Sequence, residues 1–195
     1  MKRFALLAAL LIYSFGLLAQ SKALNPKAIG PLMVTAGDSM KKSNDVVTNL
    51  SISKEFSTFY NFLSKANLQA TFQSRGPITV FMPANEAFGQ LQGGMLDTLN
   101  KPARVWLLTR IITYHAIAGS LKAKDIEKEI NKHKGMATFT TLTGNKLTAK
   151  IDGNRNIVLI DEKGDECVIS RFDIEQRNGM LHVVNKVLIP SEKKV

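Results

Sequence analysis

The stretch that decides the fold runs from residue 178 to residue 190 and reads Asn178-Gly179-Met180-Leu181-His182-Val183-Val184-Asn185-Lys186-Val187-Leu188-Ile189-Pro190. Asn-Gly is a turn pair, and the β-branched residues after it favour a strand. Leu181, Val183 and Val187 alternate over part of the run, which is typical of a strand with one packed face. We therefore predict the last strand of a hairpin here, with His182 as a structural histidine.

Upstream of this stretch, residues 137–190 carry Thr, Val and Ile runs separated by turn signals. The signals are Thr143-Gly144-Asn145, Asp152-Gly153-Asn154, Lys163-Gly164-Asp165 and Asn178-Gly179. Their spacing of roughly ten residues predicts a meander of antiparallel strands. Asp152 also begins a calcium-loop pattern, but Ile157 replaces the required glycine, so we interpret this segment as a hairpin turn.

The first half of the chain is mostly helical by pattern. Over 54–66, aromatic and aliphatic residues recur at helical spacing after Ser53, a good N-cap. Residues 78–82 predict a strand that ends at Pro83, and residues 85–91 predict a short helix. Asn100 is expected to cap a longer helix with Trp106 on its apolar face. Helices first and strands later, joined by hairpins, predict an α+β domain.

The N-terminus has the pattern of an export signal. Lys2 and Arg3 precede an apolar run from Phe4 to Ala19, a combination typical of a secretory signal peptide. Cleavage is expected after Ala19 or Ala23. The run is short for an uncleaved membrane anchor, so no stable membrane span is expected after cleavage. The sequence thus divides into a signal peptide (1–23), a flexible leader (24–42), one domain (43–191) and a tail (192–195).

The charge and the cysteine content limit the possible partners and the means of stabilisation. Without residues 1–23, which carry Lys2, Arg3 and Lys22, the formal charge falls from +10 to +7. This charge favours anionic neighbours, but acidic residues are interleaved with the lysines of 122–134, so nucleic acid is not an expected partner. Cys167 is the single cysteine, and we expect it to be a buried small hydrophobe.

No catalytic or metal-binding motif emerges from the sequence. It has no Gly-rich phosphate loop, no Gly-x-Ser-x-Gly elbow and no His-Glu-x-x-His pair. Its three histidines lack a partner at metal-ligand spacing. A pairing of Cys167 with a histidine stays open, since such partners meet only in the fold. We expect a protein without enzymatic activity, metal or cofactor.

Three ordered blocks give the chain a resemblance to the fasciclin domain family. They are Thr79-Val80-Phe81-Met82-Pro83-Ala84-Asn85-Glu86-Ala87-Phe88, Tyr114-His115 followed by Gly119-Ser120-Leu121, and the stretch 178–190. With the helix over 54–66, the resemblance covers roughly residues 43–191. The chain departs from the family pattern at Met82, Ala84 and Asn185, and Ala84 lacks a hydroxyl that would cap the following helix.

The resemblance implies a fold and a place of action. The fold it implies is a fasciclin-like wedge of two β-sheets flanked by several helices. It further implies a module outside cells or at their surfaces, in adhesion or matrix binding, with no enzymatic activity. We therefore expect an exported protein, periplasmic or extracellular, that binds a surface or matrix protein or an anionic polysaccharide. The oligomeric state is left open.

The resemblance also implies two places for recognition. Asp173-Ile174 matches an Asp-Ile pair that some animal members use towards integrins, and Tyr114-His115 is the other adhesion-linked pair. The alternative for the first pair is that Asp173 caps a turn while Ile174 packs inward. The alternative for the second is burial at a helix-to-strand junction.

Two rival functions remain beside adhesion. One is a periplasmic small-ligand carrier or sensor, which an apolar pocket with converging polar groups would favour. The other is a hydrolase, which a perturbed Cys–His or carboxylate pair in a cleft would favour.

Overall fold

The computed structural model describes residues 40–74 and 76–191. The predicted signal peptide, most of the leader and the predicted tail lie outside the described residues. The helices are α1 (Val46–Ile52), α2 (Ser57–Lys65), α3 (Gln69–Ser74), α4 (Asn85–Gly89), α5 (Met95–Asn100), α6 (Val105–Tyr114) and α7 (Ala123–Lys132), with a 3-10 turn at Pro102–Arg104. The strands are β1 (Ile78–Pro83), β2 (Ala116–Ala118), β3 (Met136–Thr140), β4 (Lys146–Ile151), β5 (Ile157–Ile160), β6 (Glu166–Gln176) and β7 (Gly179–Val184).

The seven strands form one sheet in the order β2-β1-β7-β6-β5-β4-β3. Strands β3 to β7 follow one another as the predicted antiparallel meander, while β1 joins β7 in parallel. A bridge between Ile117 and Thr141 brings the two ends of the sheet together. The α+β class is confirmed, but the two-sheet wedge is not what we observe. Strand β6 is long enough to pair with β5 through its first residues and with β7 through the rest, so the sheet is continuous.

Strand β7 lies inside the sheet, between β1 and β6, and is buried on both faces. The prediction of one packed face was wrong here, because β7 has a strand on each side and packed side chains above and below. Gly179 opens β7 where it passes close to β1. A Cβ atom at this position would lie 1.9 Å from the carbonyl oxygen of Ile78, so only glycine allows the close approach of the two strands.

Two clusters of buried side chains make up the core. The first joins the helices of the N-terminal half to one part of the sheet and contains Phe88 and Val187. The second joins α7 and the end of α6 to residues from all seven strands, and it contains Phe81 of β1 and Cys167 of β6. Phe81 and Phe88 are 0% and 2% exposed, which confirms them as core residues. The buried state expected for Cys167 is confirmed too.

Two helix starts differ from the sequence prediction. Ser53 is the C-cap of α1 rather than the N-cap of the next helix, because Asp45 caps a short helix that the sequence pattern did not reveal. Asn100 is the last residue of α5, since a 3-10 turn at Pro102 separates it from α6. Ala84 precedes α4 without a side-chain cap, as its missing hydroxyl predicts.

Candidate recognition surfaces

Asp173 lies at an irregularity of strand β6. The register of the β6–β7 pairing shifts between Arg171 and Ile174, and Asp173 adopts a φ of +58°, which is uncommon for a residue with a side chain. Bulges of this kind re-aim a side chain relative to the regular alternation of a strand. The side chain of Asp173 is 40% exposed, so its carboxylate is accessible from solvent.

The carboxylate of Asp173 also has a structural contact. Its Oδ1 accepts a hydrogen bond from the backbone N–H of Ala123 at 2.7 Å, at the first residue of α7. Its backbone N–H donates to Nδ1 of His182 at 3.2 Å. Asp173 therefore ties the start of α7 to strand β7. Its carboxylate accepts from a helix start, whereas the alternative interpretation had it cap a turn.

His182 is neutral in this arrangement. Because Nδ1 accepts the hydrogen bond from Asp173, the ring proton sits on Nε2, which donates to the carbonyl of Leu121 at 2.9 Å. Its side chain is fully buried, and the Phe81 ring stacks on it with the centroids 5.9 Å apart. Burial lowers the pKa of His182. Both ring nitrogens are satisfied, as predicted for a structural histidine.

The charges around Asp173 are paired with one another. Glu175 forms ion pairs with Lys122 and with Lys42. The hydrogen bond from Lys122, followed by that from Lys42, lowers the pKa of Glu175 to about 2. Lys122 also lies at the N-cap of α7, next to the residue that Asp173 contacts. The surface around the bulge thus carries both signs of charge rather than a single-sign field.

Ile174 differs from its neighbour because it turns toward the interior. It is partly buried and packs against the first core cluster, opposite Leu181 in the β6–β7 pairing. The predicted Asp173-Ile174 pair is therefore divided between the surface and the core. Its role in recognition stays a prediction, and of the two residues Asp173 is the one with an exposed side chain.

Tyr114 and His115 have fully buried side chains. The hydroxyl of Tyr114 donates to the carbonyl of Lys146 at 2.7 Å and accepts from the N–H of Glu162 at 3.2 Å. Burial raises the pKa of Tyr114. Both groups belong to the junction between α6 and β2, where the sequence left burial open as the alternative to binding. The pair is thus enclosed in the protein and does not share a surface with Asp173.

His115 is neutral for a reason similar to that of His182. Its Nε2 accepts a hydrogen bond from the N–H of Leu188 at 3.0 Å, so Nδ1 carries the proton and donates to the carbonyl of Ile111 at 2.8 Å. Burial lowers the pKa of His115 to about 4. The His115 ring thus links α6 to the segment after β7 through two hydrogen bonds, which is a structural role.

The described residues contain no group of three His, Cys, Asp or Glu side chains arranged to hold a metal ion. Cys167 donates its thiol to the carbonyl of Lys186 at 3.3 Å, and burial raises its pKa to about 11. None of the described helices has both the length and the apolar character needed to cross a bilayer.

Two grooves went unpredicted because their walls come from segments distant in sequence. One, of about 450 Å³, is lined by Ala87, Gln90, Leu91, Gln92, Met95, Asp165, Lys186, Val187 and Ile189. The other, of about 510 Å³, is lined by Thr58, Asn61, Phe62, Ser64, Lys65, Leu96 and Asn100. A third surface missed by the sequence pattern is the exposed segment 101–106, whose Trp106 is 48% exposed although helical spacing placed it on an apolar face.

Comparison with known proteins gives consistent matches. The family model described as Fasciclin domain matches residues 54–190. The chain is 31% identical over 144 residues to the uncharacterized protein sll1735 of Synechocystis, covering 73% of this chain and 96% of that protein. It is 30% identical over 177 residues to the cell surface glycolipoprotein MPB83 of Mycobacterium bovis, covering 88% of this chain and 70% of that protein.

A solved structure shares the fold. It is a FAS1 domain pair from the insect cell adhesion molecule Fasciclin I, with a TM-score of 0.66 and 17% sequence identity. The match covers 75% of this chain and 51% of that one, so this chain spans about half of the domain pair. At this level of identity the likeness concerns the arrangement of the backbone.

Proposed function

This chain belongs to the fasciclin domain family, and from that premise we propose that it is an exported binding module, without catalytic activity, that attaches to a surface, matrix or envelope partner. The observation that carries the proposal is the placement of the reactive groups. The side chains of Tyr114, His115, Cys167 and His182 are buried and hydrogen-bonded within the fold. The accessible features are instead grooves, charged groups and exposed apolar side chains, which suit binding.

Two relatives support attachment at cell surfaces. MPB83 is named a cell surface glycolipoprotein, and Fasciclin I is described as an insect cell adhesion molecule. The partner that we propose for this chain is a surface or matrix protein or an anionic polysaccharide. The formal charge of +7 after residues 1–23 supports an anionic partner. Nucleic acid is not proposed, since acidic residues accompany the lysines of α7.

Export into the periplasm or the extracellular space rests on the N-terminal pattern. The expected mature N-terminus is Gln20 or Leu24. N-terminal sequencing of protein made with its native leader tests this. Recovery of the intact Met1 form from the membrane fraction would contradict export as a free module.

The binding function is tested by capture. Full-length chain, immobilised through a tag, is incubated with envelope and extracellular material from the organism that makes it, and heat-unfolded chain serves as the control. We expect a component to be retained by the folded chain alone, saturably, and to be identified by mass spectrometry and glycan analysis. If no component is retained above the unfolded control, the proposal fails.

A carrier of small ligands is the second candidate, favoured by the groove of about 450 Å³. Its volume lies within the usual range for ligand pockets, and its apolar floor meets Asp165 and Lys186. Mass spectrometry of ligands released from the purified chain by denaturation distinguishes the two functions. A stoichiometric small molecule would favour the carrier, and its absence would favour the module for surface attachment.

A further inference from the structure

The groove of about 510 Å³ between α2 and α5 has the lining of a polar binding site. We call it the amide groove, after Asn61 and Asn100. Two hydroxyl side chains, Thr58 and Ser64, complete its polar lining, and Leu96 and Phe62 supply apolar surface. Asn100 already uses its amide within the chain, since Nδ2 donates to the carbonyl of Leu96 at 3.1 Å. The amide of Asn61 and the two hydroxyls can both donate and accept hydrogen bonds, which matches the hydroxyl groups of sugars.

Lys65 is the charged residue of the amide groove. Its Nζ donates to Oδ1 of Asn100 at 2.5 Å and lies 5.7 Å from the centre of the Phe62 ring. No acidic residue is among the described residues that line this groove. The positive charge of Lys65 is therefore held at the groove without a carboxylate there to neutralise it.

A segment with both basic and apolar side chains follows Asn100, a lining residue of the groove, in the sequence. Residues 101–106 follow Asn100, and we call them the basic ridge. Together with Asn100 they form the longest run of exposed residues in the described part of the chain. The basic ridge combines Lys101 and Arg104 with Val105, 36% exposed, and Trp106, 48% exposed. Six residues of chain span at most about 20 Å. Trp106 is thus within reach of a polymer of a few sugar units that occupies the groove.

The charge of this region is positive. Residues 95–106 have one acidic residue, Asp97, against Lys101 and Arg104, and Lys65 adds a positive charge to the lining of the groove. This contrasts with the surface around Asp173, where Glu175 is bound by two lysines. A ligand with negative charge is attracted to the amide groove and the basic ridge more than to the Asp173 surface.

We propose that the amide groove and the basic ridge together bind one chain of an anionic polysaccharide, with Lys65, Lys101 and Arg104 facing its carboxylate or sulfate groups and Trp106 stacking on a sugar ring. The inference rests on the proposed binding function and gives it a site and a partner class. A lipid surface explains Trp106 and the cations equally well. It does not use the amides and hydroxyls of the groove, which is why the polysaccharide is the occupant we argue for.

Binding is measured with the full-length chain and three probes. The probes are alginate as a polyuronate, dextran as a neutral polymer, and vesicles of phosphatidylglycerol. The test variants are Trp106→Ala and the double variant Lys101→Gln with Arg104→Gln. The controls are Met136→Ala, which removes an exposed apolar side chain elsewhere, and Lys128→Gln, which removes an exposed charge of α7.

We expect alginate to bind, dextran to bind far less, and affinity for alginate to fall as salt is added. Each test variant should weaken alginate binding by about tenfold, as interface anchors do, while both controls bind like the parent. Because Lys101 and Arg104 are exposed, the melting temperature of the double variant should stay unchanged. Trp106 is 48% exposed, so Trp106→Ala is compared with the parent at a temperature where both are folded. Equal alginate affinity of parent and test variants overturns the site, and binding of vesicles but not alginate overturns the partner class.

The outcome also separates this inference from the general function. If the test variants bind the captured native component with the same affinity as the parent, the amide groove and the basic ridge together are not its site, although the binding module stands. If the parent chain captures no native component, the general function fails whatever alginate does.

Discussion

The side chain of Asn178 accepts a hydrogen bond at Oδ1 from the backbone N–H of Val46, at 3.0 Å, across 132 residues of sequence. The same amide donates through Nδ2 to the carbonyl of Phe72 at 2.7 Å. One side chain in the β6–β7 turn thus satisfies backbone groups of α1 and α3. Asn178, which predicts the turn from the sequence, therefore also links the turn to α1 and α3.

Asn178→Ala should lower the free energy of unfolding by about 1–3 kcal/mol, because it leaves two backbone groups without their partner. Asn131→Ala, at an exposed position of α7, is the matched control and should change stability by no more than about 0.5 kcal/mol. Urea denaturation of the two variants and the parent measures both. Equal stability of Asn178→Ala and the parent would show that water replaces the lost contacts.

Core substitutions should abolish stability and binding together. Phe81→Ala and Phe88→Ala remove fully enclosed rings, at a cost of about 3–5 kcal/mol each. This is a large share of the stability of an ordinary domain. Thermal melts and binding titrations on the same preparations should show both losses. A variant that retains its melting temperature would contradict the assignment of that ring to the core.

Asp173 allows charge and capping to be tested separately. Asp173→Ala should cost about 1 kcal/mol, since α7 loses its side-chain acceptor at Ala123. Asp173→Asn keeps an acceptor and tolerates the φ of +58°, so its stability should stay close to that of the parent. We expect neither variant to change partner affinity at a temperature where both are folded. An affinity loss in Asp173→Asn with stability retained would instead identify the carboxylate as a recognition group.

Cys167 should be unreactive in the folded protein. Burial raises its pKa to about 11, so at pH 8 the thiol is protonated as well as enclosed. Labelling with iodoacetamide should be slow in native chain and fast in urea. Cys167→Ala should cost about 1 kcal/mol without loss of partner binding. Fast labelling of native chain, at the rate of the unfolded one, would point to a functional thiol.

Stability should fall with acidification because of His115. Its pKa is about 4 in the fold and about 6.5 in the unfolded chain, so the unfolded state binds the proton first. The contribution of neutral His115 to the free energy of unfolding is complete above pH 6.5 and is lost as the pH falls toward 4. At 1.4 kcal/mol per pH unit the total loss is about 3 kcal/mol. Burial shifts the pKa of His182 in the same direction.

Urea denaturation at pH 7 and pH 5 tests the effect of His115. The variant His115→Gln should show a smaller stability difference between the two pH values than the parent. His133→Gln, at an exposed position, should retain the parent's difference. An unchanged pH dependence in His115→Gln would assign the effect to other groups.

The sequence predicted local features well and long-range ones poorly. Strand β1 and the meander followed from β-branched runs and turn pairs, signals carried by neighbouring residues. The parallel pairing of Val80 with Leu181 has no such local signal. Asn100 was assigned to the wrong helix, because asparagine is common at both helix starts and helix ends.

The candidate surfaces also depend on long-range contacts that the sequence pattern does not reveal. Tyr114 and Asp173 both belong to adhesion-linked pairs, yet one is enclosed and the other exposed. The residues of a short motif do not specify the tertiary packing that decides whether their side chains are buried or exposed. Asn61 and Asn100 line the amide groove from two different helices. Trp106 lies in the first turn of α6, directly after the 3-10 turn, and is 48% exposed.

The parallel pairing of β1 with β7 also bears on when the chain can fold. Strand β1 ends at Pro83, but its parallel partner β7 begins at Gly179. A nascent chain lacks this partner until residues 179–184 have been synthesised. Contacts so far apart in sequence form late and carry a large loop-closure cost. Until residues 179–184 are available, the chain therefore lacks the strand that joins β1 to the meander, and the single sheet cannot form.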